Sequence, residues 1–130
     1  KGKFYLFVKS SPNPDNLLLL VSDHVNGKFE RVEGFDDSMG AQTKGMYEAP
    51  TAVKLADGRW CLFADFYGAG CAGQGYVPFV SDDLTKGVFT RADEAFHFPY
   101  GFKHGTILPI TEEEYERMLA RDWTDVPDLR

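Results

Sequence analysis

Glu48-Ala49-Pro50-Thr51-Ala52-Val53-Lys54-Leu55-Ala56-Asp57-Gly58-Arg59-Trp60-Cys61-Leu62-Phe63-Ala64-Asp65-Phe66 reads as two strands joined by a tight turn. β-Branched and aromatic residues favour the pleated conformation, and Asp57-Gly58 is a two-residue hairpin signal flanked by apolar runs on both sides. Working outward, a loop from Tyr67 to Gly75 leads to a third apolar run, Tyr76 to Ser81, and a fourth covers Val88 to Ala92. Strand, turn, strand, loop, strand, turn, strand is one four-stranded unit, with Glu48 to Leu55 as its first strand and Arg59 to Phe66 as its second.

The unit is repeated. Phe4-Tyr5-Leu6-Phe7-Val8-Lys9 aligns with Trp60-Cys61-Leu62-Phe63-Ala64-Asp65, Val21-Ser22-Asp23-His24 with Val80-Ser81-Asp82-Asp83, and Phe29-Glu30-Arg31 with Phe89-Thr90-Arg91. The offset grows from 56 to 59 to 60 residues, as expected of an array of similar units with small loop insertions. The earlier copy lacks its first strand and keeps Lys3 to Lys9, Leu17 to Ser22 and Lys28 to Glu33. Downstream, Gly105 to Ile110 reads as the first strand of a third unit. Thr111-Glu112-Glu113-Glu114 is then a capping box opening a short helix with an apolar stripe of Tyr115, Met118 and Leu119. Units of this kind pack radially as blades around a channel, first strand innermost. The expectation is an incomplete blade over 1–34, a complete one over 46–95, the first strand of the next over 96–110, and helix plus tail over 111–130. Because the chain opens without Met and in mid-strand, it reads as the C-terminal part of a larger protein. Open sheet edges would then invite self-association.

The 130 residues are 43% apolar and 15% aromatic, enough for a folded core. A net charge of −6 and no clustered basic face argue against nucleic acid or an anionic membrane as partner. The longest apolar run, Leu17 to Val21, is too short to span a bilayer. Cys61 and Cys71 could meet only if the intervening loop folds back, and neither Cys nor His is spaced like a zinc site. The compartment is open.

Among the acids, position decides. Asp82-Asp83 lies in the repeated outer turn, Asp36-Asp37 in a polar connection, and Glu112 to Glu114 at a helix N-terminus, where negative charge is favoured. Glu48 differs. It begins an inner strand beside Met46 and Tyr47, which would desolvate it and raise its pKa toward that of a general acid. The plainer reading is a surface strand-end residue. His104 would begin the next inner strand, facing the same channel, where it could hydrogen-bond a water, orient a ligand or meet a cation; otherwise it is a turn residue. His24 and His97 have weaker claims. Asp65, Phe66 and Tyr67 end a strand near the same place and are candidates for ligand contact. The remaining aromatics, Phe96, Phe98, Tyr100 and Phe102, are for the most part core. Gly68, Gly70, Gly73 and Gly75 lack the Lys-Ser/Thr pair of a phosphate cradle and suit a loop at the rim.

Tyr47-Glu48-Ala49-Pro50-Thr51, the repeat ending Ser81-Asp82-Asp83-Leu84-Thr85, and Lys103-His104-Gly105-Thr106-Ile107-Leu108-Pro109-Ile110-Thr111 with Glu113-Glu114-Tyr115 resemble glycoside hydrolase family 43 from about Phe4 to Leu119. The resemblance implies an all-β fold, part of a five-bladed β-propeller of about two blades plus one further strand with a short C-terminal helix. It implies an inverting glycosidase acting on arabinose-, xylose- or galactose-containing glycans, with Glu48 as general acid. His104 would be the channel histidine, close to a calcium ion or its waters, with no cofactor required. The base and the acid-tuning aspartate would lie on earlier blades and have no counterpart here. Lys103 stands where Arg is frequent, keeping the charge and losing the bidentate fork. The alternative is a non-catalytic propeller that binds glycan or protein through its aromatic rim.

Overall fold

The computed structural model describes residues 2–10, 17–42, 46–67, 75–96, 98 and 101–122. They form two antiparallel sheets. The first contains β1 (Phe4–Lys9), β2 (Leu17–Ser22) and β3 (Glu30–Arg31) in that order. The second contains β4 (Tyr47–Lys54), β5 (Trp60–Phe66), β6 (Gly75–Ser81) and β7 (Thr90–Arg91), also in chain order. Helix α1 (Glu33–Gln42) joins them, a 3-10 turn covers Asp93–Ala95, and α2 (Glu112–Ala120) follows.

The repeat is visible in the register. Phe4 faces Ser22 across β1 and β2, and Trp60 faces Ser81 across β5 and β6. After each pair the same turn is built: the Ser22 hydroxyl accepts the His24 N–H at 3.2 Å, and the Ser81 hydroxyl accepts the Asp83 N–H at 3.3 Å.

Alternation along β5 explains how the second sheet is covered on both faces. Leu62 and Ala64 turn toward the first sheet and join Leu17, Leu19, Val32, Tyr47 and Phe79 in a shared core. Cys61 and Phe63 turn the other way, onto Tyr76, Phe96, Phe98 and Ile107. Three edge-on rings lock the shared core: Phe7 of β1 lies 5.9 Å from both Phe35 of α1 and Phe89, and the last two are 5.4 Å apart. Each such pair contributes about 0.5–1.5 kcal/mol beyond burial.

Two expectations are corrected here. The polar connection carrying Asp36-Asp37 is helix α1. Two glycines and two aspartates lower its intrinsic propensity, but Val32, Phe35 and Met39 fall at helical spacing and are all buried. Gly34 is also required for contact: a Cβ there would stand 2.2 Å from the Lys86 carbonyl oxygen, so the helix start and the turn before Phe89 meet backbone to backbone. The second correction is Gly105 to Ile110, which forms no strand. No strand among the described residues pairs with it, and Pro109 offers no N–H, so apolar alternation alone does not make a ladder. The segment instead lays Ile107 against the outer cluster.

The expected capping box is present. The Thr111 hydroxyl accepts the Glu114 N–H at 3.2 Å while the Glu114 carboxylate accepts the Thr111 N–H at 2.7 Å. No residue of α2 is buried, so its stripe of Tyr115, Met118 and Leu119 faces outward. Among the described residues no helix is long and apolar enough to cross a membrane.

Candidate functional site

The start of β4 lies beside the end of β5, with Tyr47 facing Phe66 and Glu48 facing Asp65. Tyr47 points into the shared core, its ring 5.3 Å from Phe66 and 5.7 Å from Phe79. Pleating therefore sends Glu48 and Asp65 to the opposite face. Just past Glu48 the ladder slips before resuming at Thr51 opposite Phe63. Ala49 adopts a left-handed backbone (φ 44°) and Pro50 cannot donate to a ladder, so the bulge re-aims the strand end at Glu48.

β1 packs beside β4, and its last residue reaches the site. Lys9 Nζ lies 2.9 Å from Glu48 Oε2 and 4.4 Å from the centre of the Tyr67 ring. Tyr67 is fastened by its own N–H, which donates to the Met46 carbonyl at 2.9 Å.

Here the expected electrostatics are reversed. The Lys9 hydrogen bond, ahead of its charge and those of His104 and Lys103, holds the Glu48 carboxyl below the usual glutamate value. The same contact raises the Lys9 ammonium. Burial does act to raise Glu48, but with Met46 exposed and Tyr47 turned into the core it is outweighed by the cation arriving from the other sheet.

Asp65 is enclosed, its side chain 1% exposed. Its Oδ2 accepts the His104 N–H at 3.1 Å and lies 3.2 Å from His104 Nδ1, while Oδ1 is buried with no hydrogen-bond partner among the described residues. Burial pushes this carboxyl upward, against the His104 hydrogen bond and the His104 and Lys103 charges. His104 is held with φ 50°, left-handed for a residue that is not glycine. Strain of this kind persists where the surroundings fix it. Asp65 supplies one fixing contact, and Tyr76 two more: its N–H donates to the Phe102 carbonyl at 3.1 Å and its hydroxyl donates to the Gly105 carbonyl.

The structure thus brings Glu48, Asp65, His104 and Tyr67 to one end of the second sheet. Phe66 is elsewhere, packed on Tyr47 in the shared core. Phe98 and Phe102 stack with centroids 5.6 Å apart over Tyr76, and Phe96 meets Phe63 edge-on at 5.1 Å, so all three cover the outer face of the sheet. His24 lies in the turn after β2. Cys61 is a buried free thiol, raised to about 12 by burial. His97, Tyr100, Cys71, the loop at 68–74 and the tail at 123–130 lie outside the described residues.

Calcium takes six to eight oxygen ligands. Asp65 turns its accessible chemistry inward to His104, and no group of three or more His, Cys, Asp or Glu among the described residues could hold a metal ion. Among the described residues the donor set does not supply the ligands of a directly protein-bound ion.

Lys9 is the residue that the sequence reading passed over. The signal was present: in the repeat Lys9 aligns with Asp65, so the same strand end that delivers Asp65 to the site from β5 delivers Lys9 from β1.

A family model described as "probable glycosyl hydrolase domain", related to glycosyl hydrolase family 43, matches residues 1–116. No curated protein and no solved structure matches the chain.

Proposed function

Because the chain belongs to the probable glycosyl hydrolase domains related to family 43, we propose that its site works on arabinose-, xylose- or galactose-containing glycans, with Glu48 as the general acid of an inverting cleavage. The observation that carries this reading is the juxtaposition at the β4–β5 end. A solvent-reachable carboxyl, Glu48, stands opposite a buried one, Asp65, whose outer oxygen fixes His104. Glu48 can approach a glycosidic oxygen; Asp65 cannot, and acts as a positioning residue through His104. The exposed His104 ring would hydrogen-bond a sugar hydroxyl, and Tyr67 would stack on the sugar C–H face. Inversion also needs a base carboxylate about 6.5–9.5 Å from the acid, with a water between. The reading assigns that base to no residue of this chain. In it the two sheets are blades of a five-bladed propeller whose first strands, as in β4, line the channel.

A second reading, a non-catalytic glycan-binding propeller, is favoured by one observation. Lys9 favours the ionised form of Glu48, whereas a general acid must carry a proton. The test is hydrolysis of reducing-end glycosides by the protein as its host makes it, with the anomeric configuration of the first product read by proton NMR. Release of inverted sugar supports the hydrolase, retained configuration refutes inversion, and binding without release supports the second reading.

A further inference from the structure

Lys9 makes two contacts that a bound sugar would contest. Its ammonium pairs with Glu48 Oε2 at 2.9 Å and lies over the Tyr67 ring at 4.4 Å. The face of an aromatic ring accepts either a cation or the C–H face of a pyranose, and the two cannot occupy it together. We propose that Lys9 is a ligand-displaced latch: a sugar ring seated on Tyr67 lifts the ammonium from the ring and, by the same movement, from Glu48, which is then free to carry a proton to the leaving oxygen. This rests on the carbohydrate reading above and deepens it, because it removes from the filled site the contact that most favours the ionised form of Glu48 in the empty one.

The geometry suits a latch. Lys9 ends its strand, and its side chain is 36% exposed against 29% for Glu48, so the pair is screened and each contact is weak enough for a ligand to replace. The other charged or titratable groups facing Glu48 are fixed from different elements. Asp65 comes from β5 and is locked on His104, while Lys103 and His104 come from the segment after Phe102 and act on Glu48 through space. Tyr67 follows β5. Lys9 alone among these is in direct hydrogen bond with Glu48 among the described residues. No proton is created or lost in the step. The ammonium keeps its three protons and returns to water, and Glu48 takes its proton from solvent before passing it to the glycosidic oxygen.

The experiment follows the Glu48 side-chain carboxyl by carbon NMR through a pH titration of the whole protein, with and without saturating L-arabinose or methyl β-D-xyloside as probes. Three proteins are compared: wild type, Lys9→Met and Tyr67→Leu. In Lys9→Met the Glu48 midpoint moves up and the probe binds roughly three- to tenfold more tightly, since no latch has to be opened. In wild type the probe moves the midpoint up toward the Lys9→Met value, and in Tyr67→Leu it does not. An equal midpoint in wild type and Lys9→Met overturns the latch. So does a probe that shifts the Tyr67 ring signals of wild type while leaving Glu48 unmoved. A probe that perturbs neither wild type nor Lys9→Met overturns the carbohydrate reading and the latch with it, a pattern distinct from the other two.

Discussion

Replacing Asp65 by Asn separates what this buried carboxyl does for the site from what it costs the fold. In the native protein Oδ2 accepts the His104 N–H at 3.1 Å, and a hydrogen bond to a charged group is worth about 1.5–3 kcal/mol. An Asn carbonyl can accept the same N–H, for about 0.5–1.5 kcal/mol, so the loss is about 1–1.5 kcal/mol. Against it stands the relief of a buried carboxylate whose Oδ1 has no partner among the described residues, a cost of about 1–3 kcal/mol; a neutral amide is cheaper to keep dry. Asp65→Asn therefore lies between about 0.5 kcal/mol below and at most about 2 kcal/mol above the stability of wild type near pH 7, instead of the roughly 3–5 kcal/mol lost when a buried ion pair is broken. The pH dependence is sharper. Burial raises the folded carboxyl above its ordinary value of 3.8, so the native state binds more protons than the unfolded one in the window between the two values. Stability from this residue is complete below 3.8 and declines as pH rises through the raised native value. Glu48, with a lowered carboxyl, contributes the opposite limb, which is lost as pH falls. The difference between the two proteins removes most of the Glu48 limb and leaves that of Asp65, including the repulsion between the two carboxylates. Urea unfolding from pH 3 to 8 should show the mutant gaining on wild type across that window and then running parallel to it. A mutant that loses several kcal/mol at neutral pH, or a difference that slopes the other way, would refute the argument.

Two further outcomes test the frame that holds the site. Phe35→Ala removes the fully buried ring shared by the two sheets and should cost about 3–5 kcal/mol in chemical unfolding; a loss under 1 kcal/mol would mean that α1 does not tie the sheets together. Cys61 is enclosed, with its thiol raised to about 12, so an alkylating reagent at pH 8 should label it only after denaturant is added; rapid labelling of the native protein, located at Cys61 by peptide mapping, would contradict its burial.

What could be read in the sequence was whatever repeats or is punctuated locally. The alignment of Phe4-Tyr5-Leu6-Phe7-Val8-Lys9 with Trp60-Cys61-Leu62-Phe63-Ala64-Asp65 places β1 and β5 at equivalent positions in two sheets, and Asp57-Gly58 marks the turn between β4 and β5. The capping box at Thr111 is equally local. Helix α1 was hidden because Gly34 and Gly40 depress its propensity, and Gly34 is there for a close approach to Lys86, a contact set by tertiary packing. Gly105 to Ile110 has the pattern of a strand, but a ladder needs a neighbour, and pattern does not report one. At the site, Glu48, Asp65, His104 and Tyr67 were legible from strand ends and do come together. The sign of the Glu48 shift was not legible, because it depends on Lys9, 39 residues away on another sheet. Phe66 differs from Tyr67 by one residue of pleat: it shares the core face with Tyr47, and Tyr67 is the ring that Lys9 covers.

The most direct measurement of the central claim is turnover by wild type and Glu48→Gln, side by side, against aryl arabinofuranosides, xylosides and galactosides, in the protein as its host makes it. Natural glycosides with poor leaving groups should be included, since they depend most on a proton donor. If Glu48 is the general acid, Glu48→Gln loses about 10²–10⁴-fold in kcat on those substrates while still binding them. Equal turnover by wild type and mutant would contradict the assignment.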